Sequence, residues 1–161
     1  MSNDKPKLLL GMDLRPEFVA LDLCADTAGA AIEALAQKLI DAEVVKPSFL
    51  PAILKREEEF CTGLAFDEMG IAVPHTDPEH VNAPCIGIAS LQKPVTFQSM
   101  GTPDVPCEVE MLFMLGITDP HTQLDFLQSL MSSFLVSGRL TALKATDSPE
   151  RMVELFESYF E

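Results

Sequence analysis

Three almost uninterrupted apolar runs in the middle of the chain restrict its possible folds most. They are "IAV" at 71–73, "CIGIASL" at 85–91 and "EVEMLFMLGI" at 108–117, each bounded by proline, glycine or polar residues. A strand with one wet face alternates apolar and polar residues, whereas a strand buried on both faces is apolar throughout. The runs therefore predict strands of a central sheet that is covered on both faces. The segment "FQSMGTPDVP" at 97–106 is expected to be a loop or a hairpin connection.

Two helices are predicted before these strands. The segment 26–45 has apolar residues at helical spacing, and Asp26 or Thr27 can cap its start. A second helix is expected over 47–60, with Pro47 in its first turn. The residues expected to face the core are Ile32, Leu35, Ala36, Leu39, Ile40, Phe49, Leu50, Ile53 and Leu54.

Two further helices are predicted after the strands. Asp119-Pro120 opens one over 121–135, and Ser148-Pro149 opens a last one that ends near Tyr159. The residues expected inward on the first of these are Leu124, Leu127, Leu130, Met131, Phe134 and Leu135. Helices, then strands, then helices indicate an α/β fold. We expect a single domain over 1–161, with a mixed, mostly central β-sheet flanked by helices in three α/β/α layers.

Charge and composition exclude several classes of function. The chain has 25 acidic and 11 basic residues, a formal net charge of −14, so its surface repels nucleic acids and anionic membranes. The N-terminal apolar run at 8–12 is too short for a signal-peptide core, and no segment is long enough to span a membrane. The four cysteines are scattered and form no CxxC pair, which predicts reduced, mostly buried thiols and a cytoplasmic location.

The segment "GIAVPHTDPEHV" at 70–81 contains two of the three histidines. Pro74 fixes its own φ and biases Val73 to an extended conformation, so His75 leaves the predicted strand in a defined direction. Ligand chemistry in α/β proteins tends to collect at such strand ends. The alternative is a solvated histidine in a loop, and for His80, which follows Asp77 and Glu79, the alternative is a polar turn.

The sequence offers candidates for two other kinds of site. A metal site of His75, His80 and Cys85 fits no zinc spacing, and no metal is expected. In "KREEE" at 55–59, Arg56 can belong to a solvated helix face, or its guanidinium can bind a phosphate through two parallel donors. The chain has no glycine-rich phosphate loop, so no nucleotide cofactor is expected.

In combination these segments resemble the fructose/mannitol-type enzyme IIA domains of the bacterial sugar phosphotransferase system (PTS). That family has Arg-Glu, then Thr-Gly, then Gly-x-Ala-x-Pro-His. The resemblance extends over roughly 28–160, and it is closest to galactitol-specific IIA in the second histidine five residues after the first. The segments that carry it are "KREEEFCTG", "GIAVPH", "KPVTFQSMG", "VEMLFMLGI" and "QLDFLQSLMSSFL".

The resemblance implies a phosphocarrier. His75 would accept a phosphoryl group from the phosphohistidine of HPr and pass it to a cysteine of a sugar-specific IIB protein, with the membrane component IIC involved only indirectly. The sugar would be galactitol or a similar polyol, and neither metal nor nucleotide would be needed. Arg56 matches the family arginine near the phosphate.

Four further residues are assessed on the same resemblance. Many relatives have a second histidine where this chain has Gln123, which can donate a hydrogen bond but carry no charge. His80 and Thr62 are weaker candidates for the phosphate environment, and His121 is expected at the surface.

Two alternatives remain open at the level of sequence. The chain could be a regulatory, nitrogen-type IIA-like protein that is phosphorylated at His75 and acts by binding other proteins. It could also be a metal-dependent hydrolase that uses His75 and His80.

Overall fold

The computed structural model describes residues 7–9 and 11–160, and side chains from Gly11 onward. Residues 1–6, 10 and 161 of the expected domain lie outside the described residues. The helices are α1 Ala28–Asp41, α2 Phe49–Glu59, α3 Pro120–Phe134, α4 Arg139–Lys144 and α5 Pro149–Ser158. The strands are β1 Lys7–Leu9, β2 Met12–Leu14, β3 Val19–Leu23, β4 Gly63–Ala65, β5 Gly70–Ala72, β6 Cys85–Ser99 and β7 Thr102–Gly116.

The strands form one mixed sheet in the order β1-β2-β6-β4-β5-β7, and β3 also pairs with β6. β6 and β7 form a long antiparallel hairpin whose register runs from Cys85 opposite Gly116 to Ser99 opposite Thr102. The expected connection at 97–106 is the tip of this hairpin, and both strands extend into it. β5 runs parallel to β7, so the chain that follows β5 emerges near the end of β7.

The two faces of the sheet bury two separate apolar cores. Side chains alternate across a strand, so Ile86 and Ile88 of β6 enter one core while Cys85 and Ala89 enter the other. Helices α1 and α2 cover the second core, and α3, α4 and α5 cover the first. The predicted three-layer α/β/α fold with a mixed sheet is confirmed.

The predicted helix starts are confirmed at three places and wrong at one. Side chains of Thr27, Asp119 and Ser148 accept hydrogen bonds from backbone N–H groups in the first turns of α1, α3 and α5. The prediction that Pro47 lies in the first turn of the second helix is wrong, because α2 starts at Phe49. Phe49 N donates to the Lys46 carbonyl at 2.9 Å, so Pro47 is the second residue of a turn ahead of the helix, a position its fixed φ suits.

The inward face predicted for α3 is partly wrong. Leu124, Met131 and Leu135 are 58%, 40% and 76% exposed. The buried residues of α3 are Phe126, Leu130, Ser133 and Phe134. Phe126, Leu130 and Phe134 stand four residues apart and form one row, and the Phe134 ring lies 5.0 Å from that of Phe113 in β7. The predicted set combined parts of two helix faces, of which only one meets the sheet.

Several short elements were not predicted. They are the strands β1 to β4, each of three to five residues, and the six-residue helix α4. All four cysteines are free, but the expectation that most are buried holds only for Cys85 and Cys107, since Cys24 is exposed and Cys61 half-buried. Within residues 7–9 and 11–160, no helix is both long and apolar enough to cross the bilayer.

Candidate functional site

The loop after β5 places His75 at one end of the sheet. The Leu115 amide of β7 donates to the Pro74 carbonyl at 3.0 Å, and His75 pairs with Leu115 in an isolated parallel bridge. The first residue of β5 is Gly70, and a Cβ at this position would overlap the Glu108 carbonyl oxygen of β7. The backbone that carries His75 is therefore packed closely against β7 on its way to the sheet edge.

The contacts of the His75 ring fix its tautomer. Nδ1 lies 2.8 Å from the Val73 carbonyl oxygen. A carbonyl can only accept, so Nδ1 carries the proton and the lone pair of the neutral ring is on Nε2. Burial lowers the pKa of His75, the nearby Arg56 charge lowers it further, and the Val73 hydrogen bond and Asp77 act in the opposite direction. The buried ring is thus held neutral, with Nε2 available as a nucleophile.

Arg56 is the cation of this site. Its Nη1 atom lies 3.3 Å from Asp77 Oδ1, and its guanidinium carbon lies 4.5 Å from the centroid of the Phe60 ring. Its Nε atom is buried and has no hydrogen-bond partner among the described residues. The guanidinium therefore keeps donor capacity close to His75, as binding of an anion such as phosphate would require.

The Arg56 charge lowers the pKa of His75, so the guanidinium lies within electrostatic range of the ring, and two residues that sequence reasoning missed contact it. Asp77 holds the guanidinium of Arg56, and Phe60 stacks on it. The available signals were a carboxylate two residues after the histidine and an aromatic residue four positions after the arginine, directly after the end of α2.

The weaker candidates His80 and Thr62 are engaged elsewhere. His80 Nδ1 lies 2.9 Å from the Ser48 hydroxyl, so this histidine connects its loop to the start of α2. The Thr62 amide and hydroxyl donate to the Glu57 carboxylate at 2.8 and 2.7 Å, and burial raises the pKa of that carboxyl. The Thr62 carbonyl accepts from Val73 N at 3.3 Å. Both residues thus support the loop that carries His75.

Gln123 lies in the first turn of α3, where its backbone N–H donates to the Asp119 carbonyl at 3.1 Å. Because α3 starts shortly after β7 ends, Gln123 is at the same end of the sheet as His75. His121 is exposed, as expected, and its backbone amide donates to the Asp119 side chain at 3.0 Å.

The histidines do not form the metal site considered above. Across the described ranges 7–9 and 11–160, no three His, Cys, Asp or Glu side chains are grouped so as to hold a metal ion. Cys85, the third member of the considered set, is fully buried, and burial raises the pKa of its thiol to about 12. The described residues offer an imidazole nucleophile beside a guanidinium instead.

Comparison with known proteins agrees with this arrangement. Residues 13–159 match the family model "Phosphoenolpyruvate-dependent sugar phosphotransferase system, EIIA 2". The chain belongs to this family. The resemblance inferred from the Arg-Glu, Thr-Gly and Pro-His segments is confirmed, and membership makes the chain a phosphotransferase-family component.

Three relatives illustrate the similarity. The galactitol-specific EIIA component of Escherichia coli (strain K12) is 27% identical over 96 residues, which are 60% of this chain and 63% of that protein. The match thus spans less than two thirds of that relative's length. A PTS IIA domain from Streptococcus pyogenes M1 GAS is 28% identical with a TM-score of 0.74, over 89% of this chain and 91% of that one. A chain in the complex of mannitol enzyme IIA with phosphorylated enzyme IIB from Escherichia coli shares the fold, with a TM-score of 0.73 and 21% identity. The match covers 91% of this chain and 99% of that one.

Proposed function

We propose that this chain is a phosphocarrier that receives a phosphoryl group from phospho-HPr on His75 and transfers it to a cysteine of a IIB protein. The observation that carries the proposal is the geometry of the His75 ring. The proton of the neutral ring is held on Nδ1 by the Val73 carbonyl at 2.8 Å, and the lone pair is on Nε2. Burial, which lowers the pKa of His75, keeps this nucleophilic form populated at neutral pH.

The transfer would take place in two displacements at phosphorus. The Nε2 lone pair of His75 forms a bond to the phosphorus of the HPr phosphohistidine, and the donor nitrogen–phosphorus bond breaks with its electron pair returning to the HPr ring. The Nδ1 proton of His75 stays in place, so the phosphorylated ring carries a positive charge beside the phosphoryl group. In the second step a IIB thiolate attacks phosphorus, and the electron pair of the broken bond returns to Nε2.

Arg56 and Gln123 are the side chains proposed to stabilise the phosphoryl group. That group brings about −1.5 to −2 charges at pH 7 into a protein whose net charge is −14. The Arg56 guanidinium offsets this charge, and it has five N–H donors with which it can bind phosphoryl oxygens. Gln123 would add a neutral hydrogen bond from the first turn of α3. His80 and Thr62 keep only supporting roles.

The proposed partners and sugar rest on the relatives. The galactitol-specific relative supports galactitol or a similar polyol as the sugar finally phosphorylated, with IIC involved only through IIB. The mannitol IIA–phosphorylated IIB complex supports a IIB protein as acceptor, because the IIA partner in it has the same fold.

Labelling with the PTS donor chain tests the proposal. With phosphoenolpyruvate, enzyme I and HPr, the wild-type chain should acquire one acid-labile phosphate, and His75→Ala should acquire none. His121→Ala is the control, since that side chain is exposed, and it should label like wild type. Label retained by His75→Ala would refute the assignment. Transfer to a galactitol-type IIB protein would support transport, whereas labelling without transfer to any IIB protein would favour the regulatory alternative.

A further inference from the structure

Resting on the phosphocarrier function proposed above, we propose that Asp77 is a positioning residue. It holds the Arg56 guanidinium while His75 is free, gives it up to the phosphoryl group when His75 is phosphorylated, and then promotes departure of that group by repulsion. Asp77 would thus set how readily the phosphoryl group moves on to the acceptor.

The contact between Arg56 and Asp77 is suited to exchange. It consists of one approach, Nη1 to Oδ1 at 3.3 Å, although a guanidinium has five N–H donors and can bind an anion with two of them at once. The Asp77 side chain is 62% exposed, and exposed ion pairs are weak. The carboxylate of Asp77 therefore binds the guanidinium only weakly.

The surroundings of Arg56 keep its guanidinium in position during such an exchange. The ring of Phe60 lies 4.5 Å from the guanidinium carbon, and this stacking does not depend on which anion the nitrogens contact. The buried Nε atom has no partner among the described residues while Nη1 contacts Asp77. A phosphoryl group can bind two guanidinium nitrogens together, which the single carboxylate contact does not do.

The charges of Arg56 and Asp77 both act on the His75 ring. Arg56 and Asp77 shift the pKa of His75 in opposite directions, so each lies within electrostatic range of the atoms that would carry the phosphoryl group. A dianion on Nε2 would attract Arg56 more strongly than a single carboxylate does. Asp77 would then lose its partner and repel the phosphoryl group, whose charge of about −1.5 to −2 outweighs the single positive charge of the phosphorylated ring. The phosphorylated state would be less stable than it would be without Asp77.

The variant Asp77→Asn tests this inference, with Glu79→Gln as a control of the same charge change in the same loop. The Glu79 side chain is 77% exposed, and its Oε2 atom lies 3.8 Å from His80 Nε2. The measurement is the equilibrium distribution of phosphoryl between purified HPr and the chain, followed by ³¹P NMR. Loss of one nearby surface charge should shift the equilibrium toward the phosphorylated chain by about three- to tenfold for Asp77→Asn. Glu79→Gln should change it less than twofold.

Two further readouts distinguish positioning from a structural role. The pKa of His75 in an NMR titration should fall in Asp77→Asn, because Asp77 raises it in the wild type. Asp77→Glu, which keeps the charge, should restore both the equilibrium and the pKa toward wild-type values.

Three results of these measurements would contradict the inference. An unchanged equilibrium in Asp77→Asn, a shift toward phospho-HPr, or an equal shift in Glu79→Gln would each overturn the role of Asp77. If the wild-type chain accepts no phosphoryl group, the proposed function itself fails, and that result is distinct from labelling that is merely insensitive to Asp77.

Discussion

Replacing Arg56 with glutamine should slow phosphoryl transfer while leaving the fold intact. The guanidinium is two thirds buried and contacts Asp77 at 3.3 Å, and its buried Nε atom has no hydrogen-bond partner in the described part of the chain. If the phosphoryl group takes two of its donors in the transition state, the variant loses two charge-assisted hydrogen bonds. Each such bond contributes about 1.5–3 kcal/mol. Since a third of the side chain is exposed, solvent screening reduces the total to about 2–3 kcal/mol.

That loss corresponds to a rate reduction of about 30- to 150-fold. The assay is rapid-quench measurement of phosphoryl transfer from phospho-HPr at saturating concentration. It should be made at pH 8 as well as pH 7, because Arg56 lowers the pKa of His75 and its removal should raise that pKa. A defect that remains at pH 8, where the ring is neutral in both proteins, reports on lost stabilisation of the phosphoryl group.

Lys55→Gln is the matched control. It removes the same charge from the neighbouring, exposed position of α2 and should change the rate less than twofold. A wild-type rate in Arg56→Gln, or an equal defect in both variants, would refute the assignment of Arg56 to the phosphoryl group.

Two other predictions concern the corrected helix face and the titration of His75. Phe126→Ala should lower the free energy of unfolding in urea by about 3–5 kcal/mol, whereas Leu124→Ala should change it by less than about 0.5 kcal/mol; similar losses would mean that α3 packs through the other face. Burial lowers the pKa of His75 in the folded chain. Below about pH 6.5 the unfolded chain therefore binds a proton on this histidine more readily than the folded chain does. The free energy of unfolding should therefore decrease with falling pH until the pKa of the folded ring is reached. His75→Gln should flatten this part of the curve and His121→Gln should not; equal slopes in both variants would contradict the burial of a neutral ring.

The sequence was sufficient for the layers and insufficient for the short elements. The uninterrupted apolar runs predicted the two-faced sheet, and the side chains of Thr27, Asp119 and Ser148 marked the starts of α1, α3 and α5. Strands of three to five residues, such as β1 to β4, carry too few residues for a periodic signal. β2, β3 and β4 form because β6 offers a partner, and β1 pairs with β2.

The inward face of α3 could not be determined from periodicity alone. Apolar residues cover more than one face of this helix, so the leucine spacing is compatible with two orientations. The sheet selects the row that places Phe134 against Phe113, and Leu124 and Leu135 are left exposed. Packing against a distant strand decided the orientation, and no local pattern reports on it.

The sequence was sufficient to single out His75, but it was not sufficient to predict the contacts that this side chain makes. Pro74 and the family pattern pointed to His75, but the Val73 carbonyl that fixes its tautomer is a backbone group, which a residue pattern does not single out. The pairing of Arg56 with Asp77 joins residues 21 positions apart, so it depends on how α2 meets the loop after β5.

The position of the phosphorus on the ring tests the central claim most directly. The phosphorylated chain, labelled with ¹⁵N in its histidines, should show phosphorus–nitrogen coupling at Nε2 of His75, with the proton retained on Nδ1 by the Val73 carbonyl. Coupling at Nδ1 of His75, or at a nitrogen of His80 or His121, would contradict the account, because the hydrogen bond at 2.8 Å leaves only Nε2 of His75 as the nucleophile.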